Sequence, residues 1–211
     1  MAYDLEEQEQ LAEIKAWWAQ YGKLVIVGII GGVLVIGGVQ GWRYYRNTQA
    51  VSAATLFEQQ QRAERANDHK KVRDIAAQIV ENYGSTAYAV LAALAGAKSD
   101  FDTGDLAAAK QRLQWVMANA KDQETGDVAR LRLARVLFDE KNHAEALKLL
   151  ETKPVDSFNG LYADLRGDVL AAQGKRAEAR AAYQVALDKS DAASPLRQIL
   201  QLKLDAMGEA K

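Results

Sequence analysis

Side chains able to do acid-base or nucleophilic chemistry are sparse in this 211-residue sequence, which has two histidines, His69 and His143, and no cysteine. Both imidazoles fall in polar turn stretches, NDHKK and KNHAE, rather than in apolar runs that could wall off a cleft. Neither is placed as a general base or a metal ligand. The acidic pairs Glu6-Glu7 and Asp139-Glu140 sit among other polar groups, the setting of a solvated helix face rather than of two carboxylates with separated pKa values. No glycine-rich phosphate loop, metal-ligand spacing or nucleophile elbow occurs. The pattern predicts a protein that is not an enzyme and needs no cofactor or metal. The lack of cysteine removes disulfide and thiolate arguments without favouring a reducing or an oxidising compartment.

Binding chemistry remains, and the element that decides its setting is Leu24 to Trp42 (LVIVGIIGGVLVIGGVQGW), nineteen residues without a charge, closed by Lys23 and Arg43. At 1.5 Å per residue such a helix reaches about 28 Å, close to the hydrocarbon thickness of a bilayer. Eleven of its residues are Val, Ile or Leu. Together they contribute roughly −3 to −6 kcal/mol on the insertion scale, enough to absorb one Gln and the glycines. Trp17, Trp18 and Tyr21 precede the span while Trp42, Tyr44 and Tyr45 follow it, as amphipathic rings do at the two headgroup levels. The apolar run is longer than that of a secretory signal, its leader is acidic, and no small-x-small site follows. A retained membrane helix is expected. Gly28, Gly31, Gly32 and Gly38 fall within an arc of about 120°, with Gly28 and Gly32 in small-xxx-small spacing. That flat face is a candidate for docking against another transmembrane helix. Lys15 and Lys23 on one side match Arg43 and Arg46 on the other, so charge bias assigns no orientation.

Four of the 27 basic and five of the 28 acidic residues lie before Asn47, leaving 23 of each sign beyond it. So balanced a domain carries no basic footprint for nucleic acid. Its Ala, Leu, Gln, Glu, Lys and Arg favour helix and starve strands of β-branched runs. Breaks at Asn67-Asp68, Tyr83-Gly84-Ser85, Thr103-Gly104, Lys141-Asn142, Lys153-Pro154, Gln173-Gly174 and Ser190 to Pro195 predict helices of about 10 to 17 residues joined by short turns.

Three segments align without gaps: FDTGDLAAAKQRL, FDEKNHAEALKLL and AAQGKRAEARAAY place Ala109, Ala146 and Ala179 in register, 37 and 33 residues apart. The interval is close to the 34-residue tetratricopeptide period of paired helices. The expected organisation is an acidic segment at 1–23, a transmembrane helix at 24–42 and an all-α repeat solenoid at 47–211. Within the solenoid a weak first repeat or cap occupies about 51–85. Clearer repeats follow at about 86–120, 124–153 and 158–190, and a capping helix at about 195–207. Such solenoids line a protein-binding groove with residues of the first helix of each pair. Arg135, Phe138, Asp139, Asp164 and Asp168 are the candidates. Arg130, Arg132 and Arg135 crowd one helix, where nearby acids are expected to neutralise them.

The acidic leader, the Gly-rich span ending GWRYYRN, and then VARLRLARVLFDEKNHAEALKLLE and YADLRGDVLAAQGKRAEARAAY follow one another in an order that resembles a bacterial family. That family is the ancillary SecYEG translocon subunits, the YfgM family, and the likeness runs nearly end to end. It is strongest around Gly41 to Tyr45, Leu131 to Arg135 and Ala163 to Gly167. The resemblance implies a single-pass inner-membrane protein of Gram-negative bacteria with its leader in the cytoplasm and its repeats in the periplasm. It also implies association with the SecYEG channel and the periplasmic chaperone PpiD, and help in handing over exported client proteins. It transfers no catalytic residues. The reading of another class is a membrane-tethered regulatory or envelope-assembly factor whose repeats bind a signalling or cell-wall protein.

Overall fold

In the computed structural model the described residues are 2–191 and 193–208, with the side chains of 2–6 and 8 left out. The side chain of Glu6 and the last three positions of the expected repeat region therefore lie outside what is described. The described residues are helical and contain no strand. The helices are α1 (Ala2–Arg65), α2 (His69–Tyr83), α3 (Ala87–Asp102), α4 (Leu106–Asn119), α5 (Gln123–Asp139), α6 (His143–Leu150), α7 (Asn159–Ala172), α8 (Arg176–Lys189) and α9 (Leu196–Met207). A single 3-10 turn at Asp156–Phe158 leads into α7.

Two compact units divide the chain, Met1–Val51 and Ser52–Lys211. The first is one helix. No proline occurs before Asn67, and although Gly31-Gly32 and Gly37-Gly38 fall inside the span, α1 is a single helix of 64 residues that supplies both the apolar span and, in its last turns, the opening helix of the second unit. Six glycines within Leu24–Trp42 would each weaken a helix in water by about 1 kcal/mol. In hydrocarbon an unpaired peptide group costs several times that, so the helical state holds.

The second unit is built from one local device used four times. Asn67, Gly104, Lys141 and Gly174 all have positive φ, between 53° and 81°, at intervals of 37, 37 and 33 residues. After each of them an N–H reaches back five residues to close the preceding helix: Asp68 to Ala63, Asp105 to Asp100, Asn142 to Leu137 and Lys175 to Leu170, at 2.8 to 3.0 Å. This is the left-handed C-terminal stop of a helix. Asp68, Asp105 and Asn142 then accept the N–H three residues on and start the next helix, a cap of about 1 kcal/mol each. Glycine takes the left-handed position without a Cβ penalty. Lys141 holds it against a cost of roughly 1–2 kcal/mol.

Val72, Ala109, Ala146 and Ala179 occupy the same place after the turn and are all buried. The pair formed by the end of α1 and α2 is thus built on the same turn as the three pairs that follow. Each pair packs on the next, and α5 also touches α7 directly, first helix against first helix. The first pair centres on Ala53, Ile75, Ile79, Ala89 and Ala92. A longer middle core runs from Ala93 through Leu113, Leu133 and Leu137 to Leu165, and Leu170, Tyr183, Leu200 and Leu204 close the end. The α6 helix, at eight residues, is shorter than the spacing predicts. Pro154 lies just beyond it and disfavours the helical region for Lys153.

Polar groups set the register inside this apolar stack. Gln60, fully buried, donates to the carbonyls of Val72 and Ala92 at 3.2 and 3.0 Å, tying the first three helices together. Buried Asp100 accepts from Arg112 at 2.7 Å with Arg73 behind it. Buried Asp127 pairs with Arg130 and accepts the Val155 N–H at 2.8 Å, while Tyr162 Oη donates to the Asp127 carbonyl at 3.0 Å. The irregular segment after α6 is thereby fastened to α5.

Gly167 marks a close approach of α7 and α8, since a Cβ there would collide with Cε1 and Cδ1 of the Tyr183 ring. Gly167→Ala is expected to lower the unfolding free energy by about 1–3 kcal/mol through overpacking. Gly126→Ala, where a Cβ meets nothing within 4 Å, should be neutral or raise it by about 0.5–1 kcal/mol. Thermal unfolding of the full chain followed by circular dichroism compares the two; equal effects would contradict this packing.

Candidate functional site

Two surfaces are candidates for binding, one in each unit. In the first, the side chains of Leu24–Trp42 point outward around α1, with Leu34 70% exposed and Val33 63%. Among the described residues this is the one helix long and apolar enough to cross a membrane. A Cβ added at Gly28, Gly31, Gly32 or Gly38 would meet nothing within 4 Å, so the small-residue face is open along its length. At one end Trp17 stacks obliquely with Trp18 and Tyr21, ring centroids 6.4 and 5.8 Å apart. At the other Trp42 meets Tyr45 at 6.0 Å, and Tyr44 stands exposed. Exposed Trp and Tyr rings bracketing an uncharged helix are what a bilayer interface orders.

In the second unit the five groove candidates have different fates. Asp164 and Asp168, one turn apart on α7, both receive Lys203 Nζ from α9 at 2.6 Å. Asp168 also accepts from Tyr183 Oη at 3.0 Å and from Arg135 at 3.3 Å. Lys203 lies 5.4 Å from the centre of the Tyr183 ring. The Arg135 guanidinium is 5.7 Å from the Phe138 ring, which in turn stacks on His143. Four of the five therefore belong to one network joining α5, α7, α8 and α9, and Asp139 stands exposed at the end of α5. In that network the two carboxylates act as a brace for the last helix.

Burial, and then the Asp168 carboxylate, push the Tyr183 hydroxyl well above the ordinary tyrosine range. It stays a proton donor at neutral pH. Because the folded value is the higher one, its contribution is fully present below the ordinary value of about 10 and is lost as pH rises through the raised one. Lys203 and Tyr183 were not legible as site residues. Two aspartates four apart on one helical face demand a cation, but nothing local says that it comes from a helix 39 positions away.

His69 Nδ1 meets Ser99 Oγ at 3.1 Å, holding the first turn against α3. Among the described residues no three His, Asp or Glu side chains gather as a metal-binding group. Of the crowded arginines, Arg130 pairs with Asp127 and Arg135 with Asp168. Arg132 departs from the expected neutralisation. Its only described bond is a 3.5 Å contact to the Leu94 carbonyl of α3; the carboxylates of that helix, Asp100 and Asp102, are paired with Arg112, Arg73 and Lys98 instead.

The sequence matches the tetratricopeptide repeat-like domain family over residues 15–209. It is 34% identical to the ancillary SecYEG translocon subunit of Escherichia coli K12, over 94% of this chain and 95% of that protein. The protein of the same name from Haemophilus influenzae is 33% identical over 88% and 91%. The one from Neisseria gonorrhoeae is 32% identical over 98% and 100%. The similarity thus covers the apolar helix as well as the repeats.

The α9 brace has a direct test. Lys203→Met keeps an apolar stem but leaves two largely buried carboxylates facing each other. A loss of about 1–3 kcal/mol is expected for buried groups stripped of their partner. Hydrogen exchange should speed up first in α9; unchanged protection there would contradict the assigned role.

Proposed function

This chain belongs to the family of ancillary SecYEG translocon subunits, and on that premise we propose that it is a membrane-anchored adaptor that holds a protein-binding helical repeat domain beside the translocation channel. The observation that carries this reading is that similarity to the family extends through the anchor and the repeats alike, so both working parts are those of the translocon subunits. The open glycine face supplies a means. Lipid offers no hydrophobic drive between helices, and close backbone approach at small residues compensates. Gly28, Gly31, Gly32 and Gly38 would receive a channel helix there, with the aromatic rings fixing depth.

Tethering does the rest. A domain confined near the channel exit meets emerging chains at a high effective concentration, so contacts too weak to act in solution suffice. In this reading the leader is cytoplasmic, the repeats are periplasmic, and the domain works with the chaperone PpiD in handing over exported proteins. Catalysis has no part in it.

Copurification tests the docking. In mild detergent, the Gly28→Leu, Gly32→Leu double variant should recover about tenfold less channel, equivalent to about 1.4 kcal/mol of lost helix association. Replacement of the whole span by an unrelated one should abolish recovery. Undiminished channel in both would contradict the proposal and favour a factor for which the anchor serves location alone.

A further inference from the structure

On the face made by first helices, α3 and α5 leave a recess of about 290 Å³ between them. Its floor is apolar: Ala97 and Phe101 from α3, Leu113 from α4 and Val136 from α5. Leu113 and Val136 are buried, whereas Phe101 is 36% exposed at the edge. The rim is cationic, formed by Lys98, Arg132 and Arg135 with no acidic residue among the lining side chains.

The three cations are not equivalent. Lys98 is satisfied by Asp102 at 2.7 Å and Arg135 shares Asp168 with Lys203. Arg132 is exposed and has no carboxylate partner among the described residues. It is also near enough to Lys98 for the two positive charges to oppose each other. An anion placed between them would satisfy the first and relieve the second.

We infer that this recess is a docking site for a segment of another protein in which a large apolar side chain is flanked by carboxylates. The occupant follows from the complementarity of the parts. The volume is at the small end of binding cavities, about 300–1,000 Å³, so it takes a side-chain anchor rather than a whole ligand. Phe101 and the apolar floor receive that anchor. Arg132, with its planar fork of donors, takes a carboxylate in two parallel bonds. An aromatic edge beside an arginine is also the composition of residues that dominate interface energies. The site differs from the Asp164 and Asp168 face, where the charges are already consumed. The inference rests on the reading that the repeat domain binds protein and adds the chemistry of what it binds.

The test uses the full chain in nanodiscs of zwitterionic lipid and fluorescent twelve-residue peptides, read by anisotropy. One peptide has a central Leu-Phe pair flanked by Asp and Glu; a second replaces every acid by Lys; a third replaces Leu-Phe by Ala-Ala. Saturable binding of the first is expected, weakened at least about tenfold in the other two and weakened by salt, as charge-assisted contacts are. Arg132→Glu should weaken the first peptide about tenfold and improve binding of the Lys peptide. Arg132→Gln should fall between. Because Arg132 is exposed, both variants should keep the unfolding temperature. Phe101→Ala provides a second, uncharged probe of the same recess. Absence of saturable binding, equal binding of acidic and basic peptides, or indifference to Arg132→Glu would overturn the inference. Channel copurification measured on the same preparations separates the two proposals. If peptide binding fails while the channel is recovered, this site alone is lost. If the channel is lost while the peptide still binds, the docking of the span fails alone.

Discussion

Everything in this molecule depends on the exclusion of one helical surface from water. Nineteen consecutive uncharged residues, with eleven Val, Ile and Leu, form a helix whose apolar side chains meet no protein neighbour. Their exposure is tolerable only if lipid replaces water around them, a transfer worth several kcal/mol. The same requirement explains why so many glycines persist in a helix: within hydrocarbon the backbone has no other partner. The same glycines leave one face of that helix flat, with nothing within 4 Å of a Cβ added at Gly28, Gly31, Gly32 or Gly38.

The repeat unit answers a second constraint, that a helix pair of this size cannot bury its own apolar face. Stacking solves it, and four copies of one left-handed stop keep the pairs in phase. Charged groups are then spent on register. Asp100 and the Asp164-Asp168 pair are matched by cations from other helices, and Asp127 by Arg130 one turn along α5. One member missing from such a set leaves a charge in a poor medium, so these positions hold the structure together. Arg132 lies outside that economy of pairs, which is why it points to a surface.

The span and its aromatic flanks were readable because nothing in them depends on distant residues. The later repeats were readable because Ala109, Ala146 and Ala179 recur beside turns with a visible signature. The first pair hid its kinship: Val72 replaces the small residue and Asn67 the glycine, so the turn recurs in conformation while its letters change. The candidate groove was less legible. Spacing placed Asp164 and Asp168 on one face of α7, but their partner Lys203 belongs to α9, and only the packed structure joins them. The same limit made Arg132 look neutralised, since acids near in sequence are not near its guanidinium. Local pattern fixes helices and turns; the pairing of charges between helices is a tertiary fact.

The central claim is that α1 crosses the bilayer with the repeats on the side opposite the leader, and the absence of cysteine makes it directly measurable. Single variants Gln10→Cys, Val33→Cys and Glu124→Cys can be treated with a membrane-impermeant maleimide in intact spheroplasts, after lysis and in detergent. Glu124→Cys should react in intact spheroplasts, Gln10→Cys only after lysis, and Val33→Cys not until detergent removes the lipid. Labelling of Val33→Cys before detergent is added, or labelling of Gln10→Cys in intact spheroplasts as fast as Glu124→Cys, would contradict the account.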